Sequence, residues 1–136
     1  MRNALCTAAK RGVDVRIVTP AIPDKPTIFR LTRSNYPPLL RAGIRIFEYT
    51  PGFIHAKSYI CDDEFGVVGS VNMDFRSLYL HFECATLLYR TSGLEELKKD
   101  SLETIAASRE ITLKDCKQGI IGGLFDSVLR VFAPLC

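Results

Sequence analysis

Hydrophobic and polar positions change period several times along this 136-residue chain, and each change marks an element. Residues Asn3 to Arg11 carry a helical pattern that stops at Gly12, a residue suited to the turn that closes a helix. In "VDVRIVTP", Val13, Val15 and Ile17 alternate with polar neighbours, which predicts a strand ended by Pro20. "AIPDKP" reads as a loop. Helical spacing returns over residues 27–42, where Pro37 and Pro38 must start or kink a second helical piece. Gly43 then leads into the strand "IRIFEY".

Farther along, "HAKSYICD" and "FGVVGSVN" flank the turn-like "DDEF" and predict a β-hairpin. "CATLLYRT" predicts another strand, and Ser92-x-x-Glu95 has the form of a capping box opening a helix to about Ser108. Thr112-x-x-Asp115 starts a last helix to about residue 135, largely apolar from residue 119 on. Strands alternating with helices predict an α/β fold, a single domain over residues 1–136 with a mixed, partly parallel β-sheet flanked by helices. The opening helix has no strand before it to feed it onto such a sheet. The pattern therefore implies an N-terminally truncated domain.

Within the hairpin, polar residues stand where packing alone would ask for Val or Ile. A loop of two residues (Asp63, Glu64) or of four (Asp62 to Phe65) sets His55 across from Asn72 and Lys57 across from Ser70. Opposed residues of an antiparallel pair share a face, as do alternate residues of one strand, so these four would converge on one patch. A three-residue loop with a bulge shifts the register by one and spoils that convergence, and Gly66 leaves it open. Asp62 falls at the hairpin end. The patch suits a phosphodiester: an imidazole titrates near neutral pH, Lys57 supplies a fixed positive charge, and Ser70 and Asn72 can donate to phosphate oxygens.

Composition adds bounds. About half the residues are apolar and 24% are charged, as in an ordinary globular domain, with a net charge of +3 that mildly suits an anionic partner. Cys6, Cys61, Cys84, Cys116 and Cys136 are odd in number and scattered, with no zinc-type spacing; they imply a reducing compartment, no disulfides and no metal. The sequence opens with no signal-peptide pattern and contains no apolar run of about 18 residues, the length that spans a bilayer. Arg30, Arg33, Arg41 and Arg45 read as a solvated charged face. The apolar residues 119–135 suit packing against protein more than a membrane interface.

His55-x-Lys57-x4-Asp62, followed by Gly69-Ser70-x-Asn72, resembles the HKD signature of the phospholipase D superfamily. The longer run "PGFIHAKSYICDDEFGVVGSVNMDFRSL", with "RGVDVRIVTP" and "RAGIRIFEYTPGF" before it and "SREITL" after it, resembles the second HKD motif of bacterial cardiolipin synthases. The resemblance implies a phospholipase D-like half-domain acting in a metal-free, cofactor-free phosphatidyl transfer. Two phosphatidylglycerol molecules would give cardiolipin and glycerol through a phosphohistidine. It implies that His55 is the general acid/base, that Lys57 and Asp62 belong to the catalytic set with Glu83 orienting His55, and that Ser70 and Asn72 hold phosphate. Family members often carry Asn where this chain has His81, which is read as structural; Asp74, Arg76 and Ser77 match the family's continuation, and Asp74 and Arg76 are read either as a buried ion pair holding the site loop or as simply exposed.

Such enzymes need two HKD motifs, and this chain carries one. The implied partners are therefore phosphatidylglycerol and either a missing N-terminal HKD half or a second copy in a homodimer. No nucleic acid is expected, and the implied location is the cytoplasmic face of a bacterial cell membrane. The alternatives are a one-motif phosphodiesterase or nuclease working as a homodimer, and a catalytically idle fragment.

Overall fold

The computed structural model describes residues 1–116. Its elements in chain order are α1 (Arg2–Lys10), β1 (Arg16–Pro20), α2 (Pro26–Ser34), α3 (Tyr36–Arg41), β2 (Arg45–Tyr49), β3 (Ser58–Cys61), β4 (Phe65–Gly69), α4 (Phe75–Tyr79), β5 (Ala85–Tyr89), α5 (Ser92–Ala106) and β6 (Ser108–Ile111). They form two compact units, Met1–Phe53 with the described residues from Ser108, and Ile54–Ala107.

In the first unit β2 lies between β1, to which it runs parallel, and β6, to which it runs antiparallel. The mixed sheet expected from the alternating pattern is thus present. Gly12 and Gly43 both take positive φ, 94° and 92°, where a side chain would be strained, so each stops a helix and turns the chain toward a strand. Pro37 and Pro38 fall in the first turn of α3, where a missing N–H costs nothing, so the proline pair divides the helical stretch without breaking a bond. Tyr36, Leu39, Ile44, Ile46 and Ile111 form the core, with Leu5, Val15 and Ile17 packed against it.

Central β2 buries Ile46, Phe47 and Glu48 in succession, as a strand covered on both faces does. The Glu48 carboxylate lies 3.0 Å from Arg33 Nε and 3.2 Å from Arg109 Nη2. Arg45 forms a two-pronged pair with Glu110 at 2.8 and 2.9 Å. Two of the arginines read as a solvated face are therefore ion-paired across the sheet and its covering helix. Strand β6 has no counterpart among the elements predicted, because four residues with two charges carry too weak an alternation.

In the second unit β4 is central, antiparallel to both β3 and β5. Helix α5 covers this sheet through Leu94, which is buried and fits against Gly66: a Cβ there would meet Leu94 Cδ1 at 2.7 Å. The expected capping box does not form. Thr91 occupies the N-cap, Ser92 is already helical, and no side chain caps the first turn. The helix expected from Thr112 to about residue 135 lies mostly outside the described residues. Leu113 to Cys116 are turn, with Asp115 Oδ2 accepting from the Thr112 amide at 2.8 Å and hydroxyl at 2.6 Å.

Candidate active site

All the candidate residues lie in the second unit, and the hairpin register decides how they meet. The ladder pairs Cys61 with Phe65, Ile60 with Gly66, Tyr59 with Val67 and Ser58 with Val68. The loop therefore holds Asp62, Asp63 and Glu64, neither two residues nor four. Asp62 and Asp63 both adopt the left-handed conformation, φ 52° and 58°, which short polar side chains tolerate better than most. Arg90 clamps the loop by an ion pair to Glu64, and its own amide donates to the Glu64 carbonyl at 2.9 Å; Lys98 pairs with Asp63. Two left-handed aspartates, with Asp63 held by Lys98 and Glu64 by Arg90, select the odd loop length.

The register is consequently one residue away from the one that aligned the patch. The Gly69 amide donates to the Lys57 carbonyl at 3.1 Å, so Lys57 faces Gly69, and the β3–β4 ladder ends before reaching His55 or Asn72. Cross-strand pairing within the hairpin does not assemble the set. The other side of β4 does.

Ser70 is gripped by the start of β5. Its amide donates to the Cys84 carbonyl at 2.9 Å, and its Oγ accepts from the Cys84 amide at 3.0 Å. That grip carries the Ser70 hydroxyl onto the carboxylate of Glu83, to which it donates. The hydrogen bond from Ser70 holds the Glu83 carboxyl below the ordinary carboxylate range, with smaller help from the charges of His81 and Lys57. Asn72 Nδ2 donates to Ser77 Oγ at 3.3 Å. Lys57 Nζ donates to the backbone carbonyl of His55 at 2.9 Å, which leaves two ammonium hydrogens for other acceptors. His55 is exposed.

Ser70 and Glu83 are thus joined by one side-chain hydrogen bond and Asn72 and Ser77 by another, while Lys57 holds the backbone of His55. Asp62 stays at the turn, where its carboxylate accepts from Cys61 Sγ at 3.5 Å. Asp74 and Arg76 do not make a buried pair; both are exposed, and Asp74 instead caps α4, its Oδ1 accepting from the Ser77 amide at 2.7 Å. Ser77, which matches the family's continuation in sequence but was assigned no role there, is 6% exposed.

The fold resembles the crystal structure of Nuc from Salmonella typhimurium, a phospholipase D family member, with a TM-score of 0.69 over 81% of this chain and 72% of that one, at 23% identity. The fold is therefore that of a phospholipase D-like α/β domain. Residues 1–103 match the family described as cardiolipin synthase, PLD-like domain. The chain belongs to that family. It is 49% identical over 136 residues to an uncharacterized protein of Streptococcus mutans serotype c, covering 99% of this chain and 30% of that protein. It is 41% identical to a cardiolipin synthase of Geobacillus sp. and 39% identical to cardiolipin synthase 2 of Bacillus anthracis, covering 98% of this chain in both cases and 27% and 26% of the relatives. The chain thus spans less than a third of the length of these curated relatives.

Proposed function

We propose that this chain supplies one of two HKD half-sites of a cardiolipin-forming phosphatidyltransferase. The observation that carries this reading is the hydrogen bond from Ser70 to Glu83, an ionised carboxylate in the unit that also carries His55 and Lys57. Similarity to cardiolipin synthases over nearly the whole chain supports the substrate class.

In the first step a histidine of the other half-site attacks the phosphorus of phosphatidylglycerol. A P–N bond forms, the P–O bond to glycerol breaks, and His55 as imidazolium gives its proton to the departing oxygen. In the second step neutral His55 takes a proton from a hydroxyl of a second phosphatidylglycerol. That oxygen attacks phosphorus, and the P–N bond breaks to release cardiolipin and the free histidine. Splitting one displacement into two is covalent catalysis, and the acid of the first step is the base of the second. Lys57 and the free N–H of Asn72 offset charge that grows on the non-bridging oxygens, while Glu83 orients His55. Asp62 serves by shaping the turn.

The other half-site comes from a further HKD half or from a second copy of this chain. Exposed apolar side chains of the second unit support such a covering partner: Tyr79 is 72% exposed, Leu87 65%, and Phe82 fully so. Among the described residues no helix is long and apolar enough to cross a membrane. We place the active enzyme at the cytoplasmic face of the membrane that holds its substrate.

The test is cardiolipin formation from labelled phosphatidylglycerol in mixed micelles, by this chain alone and with a relative's N-terminal half added. His55→Ala is the control. Activity of the chain alone, lost in the variant, indicates a homodimer; activity only after addition indicates half an enzyme. Silence in both arms counts against transfer and favours the one-motif phosphodiesterase.

A further inference from the structure

We propose that Tyr59 is a positioning residue of this site: its hydroxyl holds the Val71 carbonyl, and with it the peptide that leads into Asn72, at a fixed place beside β3. The inference rests on the transfer reading above, in which Asn72 donates to phosphate oxygens. It adds a residue to which that reading assigns no part.

The argument begins where the hairpin pairing stops. Strands β3 and β4 pair as far as Ser58 and Val68, and one further bond runs from the Gly69 amide to the Lys57 carbonyl. Ser70, Val71 and Asn72 lie past the end of β4. Each of the three is tied to a different element. Ser70 exchanges bonds with the Cys84 backbone at the start of β5, and Asn72 Nδ2 donates to Ser77 of α4 at 3.3 Å. Between them, the Val71 carbonyl accepts from Tyr59 Oη at 2.7 Å. Of these three ties, that of Tyr59 alone returns to β3.

Its geometry follows from the register. Tyr59 faces Val67, and Val71 lies four residues beyond Val67. The phenol therefore leans along its strand, as strand side chains do, toward the end of the hairpin that carries Lys57 and His55. It takes over there from the cross-strand pairing that the three-residue loop displaced. The Val71 carbonyl shares a peptide plane with the Asn72 amide, so holding its oxygen fixes the plane from which the Asn72 side chain departs. Ser77 holds that side chain at its far end. Because the phenol comes from β3, the plane also keeps its place relative to Lys57, two residues before Tyr59. The phenol is half-buried; that burial, and then the Asp74 charge, push its pKa up from 10, so it remains a donor throughout the neutral range.

A merely structural tyrosine would act through its ring, and its loss would loosen the whole hairpin alike. Tyr59→Phe keeps the ring and removes the bond. The measurement is amide hydrogen exchange, residue by residue, in the 136-residue chain. Exchange at Gly69 and Ser70 should rise about 2–10-fold relative to Gly66 and Val67 inside the ladder, as loss of one hydrogen bond implies. It should return toward wild type with 4-aminophenylalanine at position 59, whose amine keeps a donor at the end of the ring. Rates that rise equally at all four amides, or at none, overturn the proposal. If Tyr59→Phe fails to fold, 4-aminophenylalanine and 4-methylphenylalanine carry the comparison, because they share a shape and differ in the donor. The amine must then keep the slow rates and the methyl must lose them; equal rates overturn the proposal.

In the cardiolipin assay with the complemented chain, Tyr59→Phe is expected to lower kcat about 10-fold, less than the roughly 10²-fold that a 1 Å misplacement can cost. KM should change little. Tyr36→Phe also removes a phenol hydrogen bond, but in the first unit, and should leave kcat as it is. A loss confined to KM, or an equal loss in Tyr36→Phe, would remove Tyr59 from the positioning role. If the wild-type chain forms no cardiolipin at all, the transfer reading fails, while the exchange rates still decide whether Tyr59 holds the segment.

Discussion

Gly69 faces Ala85 across the β4–β5 ladder so closely that a Cβ built on it would stand 2.5 Å from the Ala85 Cα and 2.6 Å from its Cβ. The glycine that precedes Ser70 is thus a matter of space as much as of turn geometry. It lets β5 come near enough for Cys84 to grip Ser70.

Gly69→Ala and Gly66→Ala should therefore differ. At Gly66 the added methyl crowds the ends of Leu94 and Leu97, at 2.7 and 3.3 Å, and leucine side chains can turn. That overpacking costs about 1–3 kcal/mol. At Gly69 the obstacle is β5 backbone, so the strand pair must open. Urea midpoints and amide spectra of the two variants check this: Gly66→Ala should stay folded with a lowered midpoint, and Gly69→Ala should lose the native shifts of residues 68–72 and 84–86.

Acid should reach Glu83 late. Its folded pKa lies below the ordinary value of 4.5, held down first by the Ser70 hydrogen bond. A depressed carboxyl contributes stability that is present above the unfolded pKa and lost as pH falls through the folded one. Ser70→Ala should move the Glu83 carboxyl midpoint upward and shift the onset of that loss to higher pH. A titration curve identical to wild type would contradict the assignment.

Alkali tests the first unit. The Tyr36 phenol is buried, bonded to Thr19 Oγ1 at 2.7 Å, and pushed up to about 12 chiefly by that burial. A raised folded pKa means that stability is whole below the unfolded value near 10 and drains away as pH climbs toward the folded one. Absorbance at the tyrosinate band should show one phenol titrating last, together with unfolding, and Tyr36→Phe should abolish that late component.

Glu48 makes a sharper claim on stability. Its side chain is 4% exposed, and its countercharges are Arg33 and Arg109. Replacing both arginines by Ala strands a buried carboxylate, at a cost of roughly 3–5 kcal/mol. Either single replacement should cost much less, since one guanidinium remains. Denaturant unfolding of the three variants decides it, and additive single losses would argue against shared pairing.

Lys57→Gln keeps a donor and removes the charge. In the complemented enzyme it should reduce kcat about 10²–10³-fold, in the range found for losing one oxyanion donor. KM should change little, because the charge is needed most where the phosphoryl oxygens become most negative.

Much of the fold was legible because it depends on local rules. Gly12 and Gly43 closing helices, the proline pair dividing α2 from α3, and the alternation that makes β1, β2 and β5 all act within a few residues. Strand β6 was not legible, because its only claim to be a strand is its pairing with β2 across the chain. Glu48 was equally hidden. Nothing near it in sequence announces two arginines brought from α2 and β6.

The site divides the same way. The sequence by itself determined which residues are candidates for the chemistry, since His55, Lys57, Ser70 and Asn72 stand at motif spacing and Glu83 matches the pattern of the family it resembles. Tertiary structure decided how they meet. Two aspartates able to turn left-handed gave the hairpin a three-residue loop, which undid the cross-strand alignment, and β5 then supplied another route through Cys84. A one-residue change in loop length inverts every facing relation along a hairpin, while costing little in backbone energy. The ion pairs from Arg90 and Lys98 to the loop and the packing of β5 select among such alternatives, and both are contacts between segments that the sequence keeps apart.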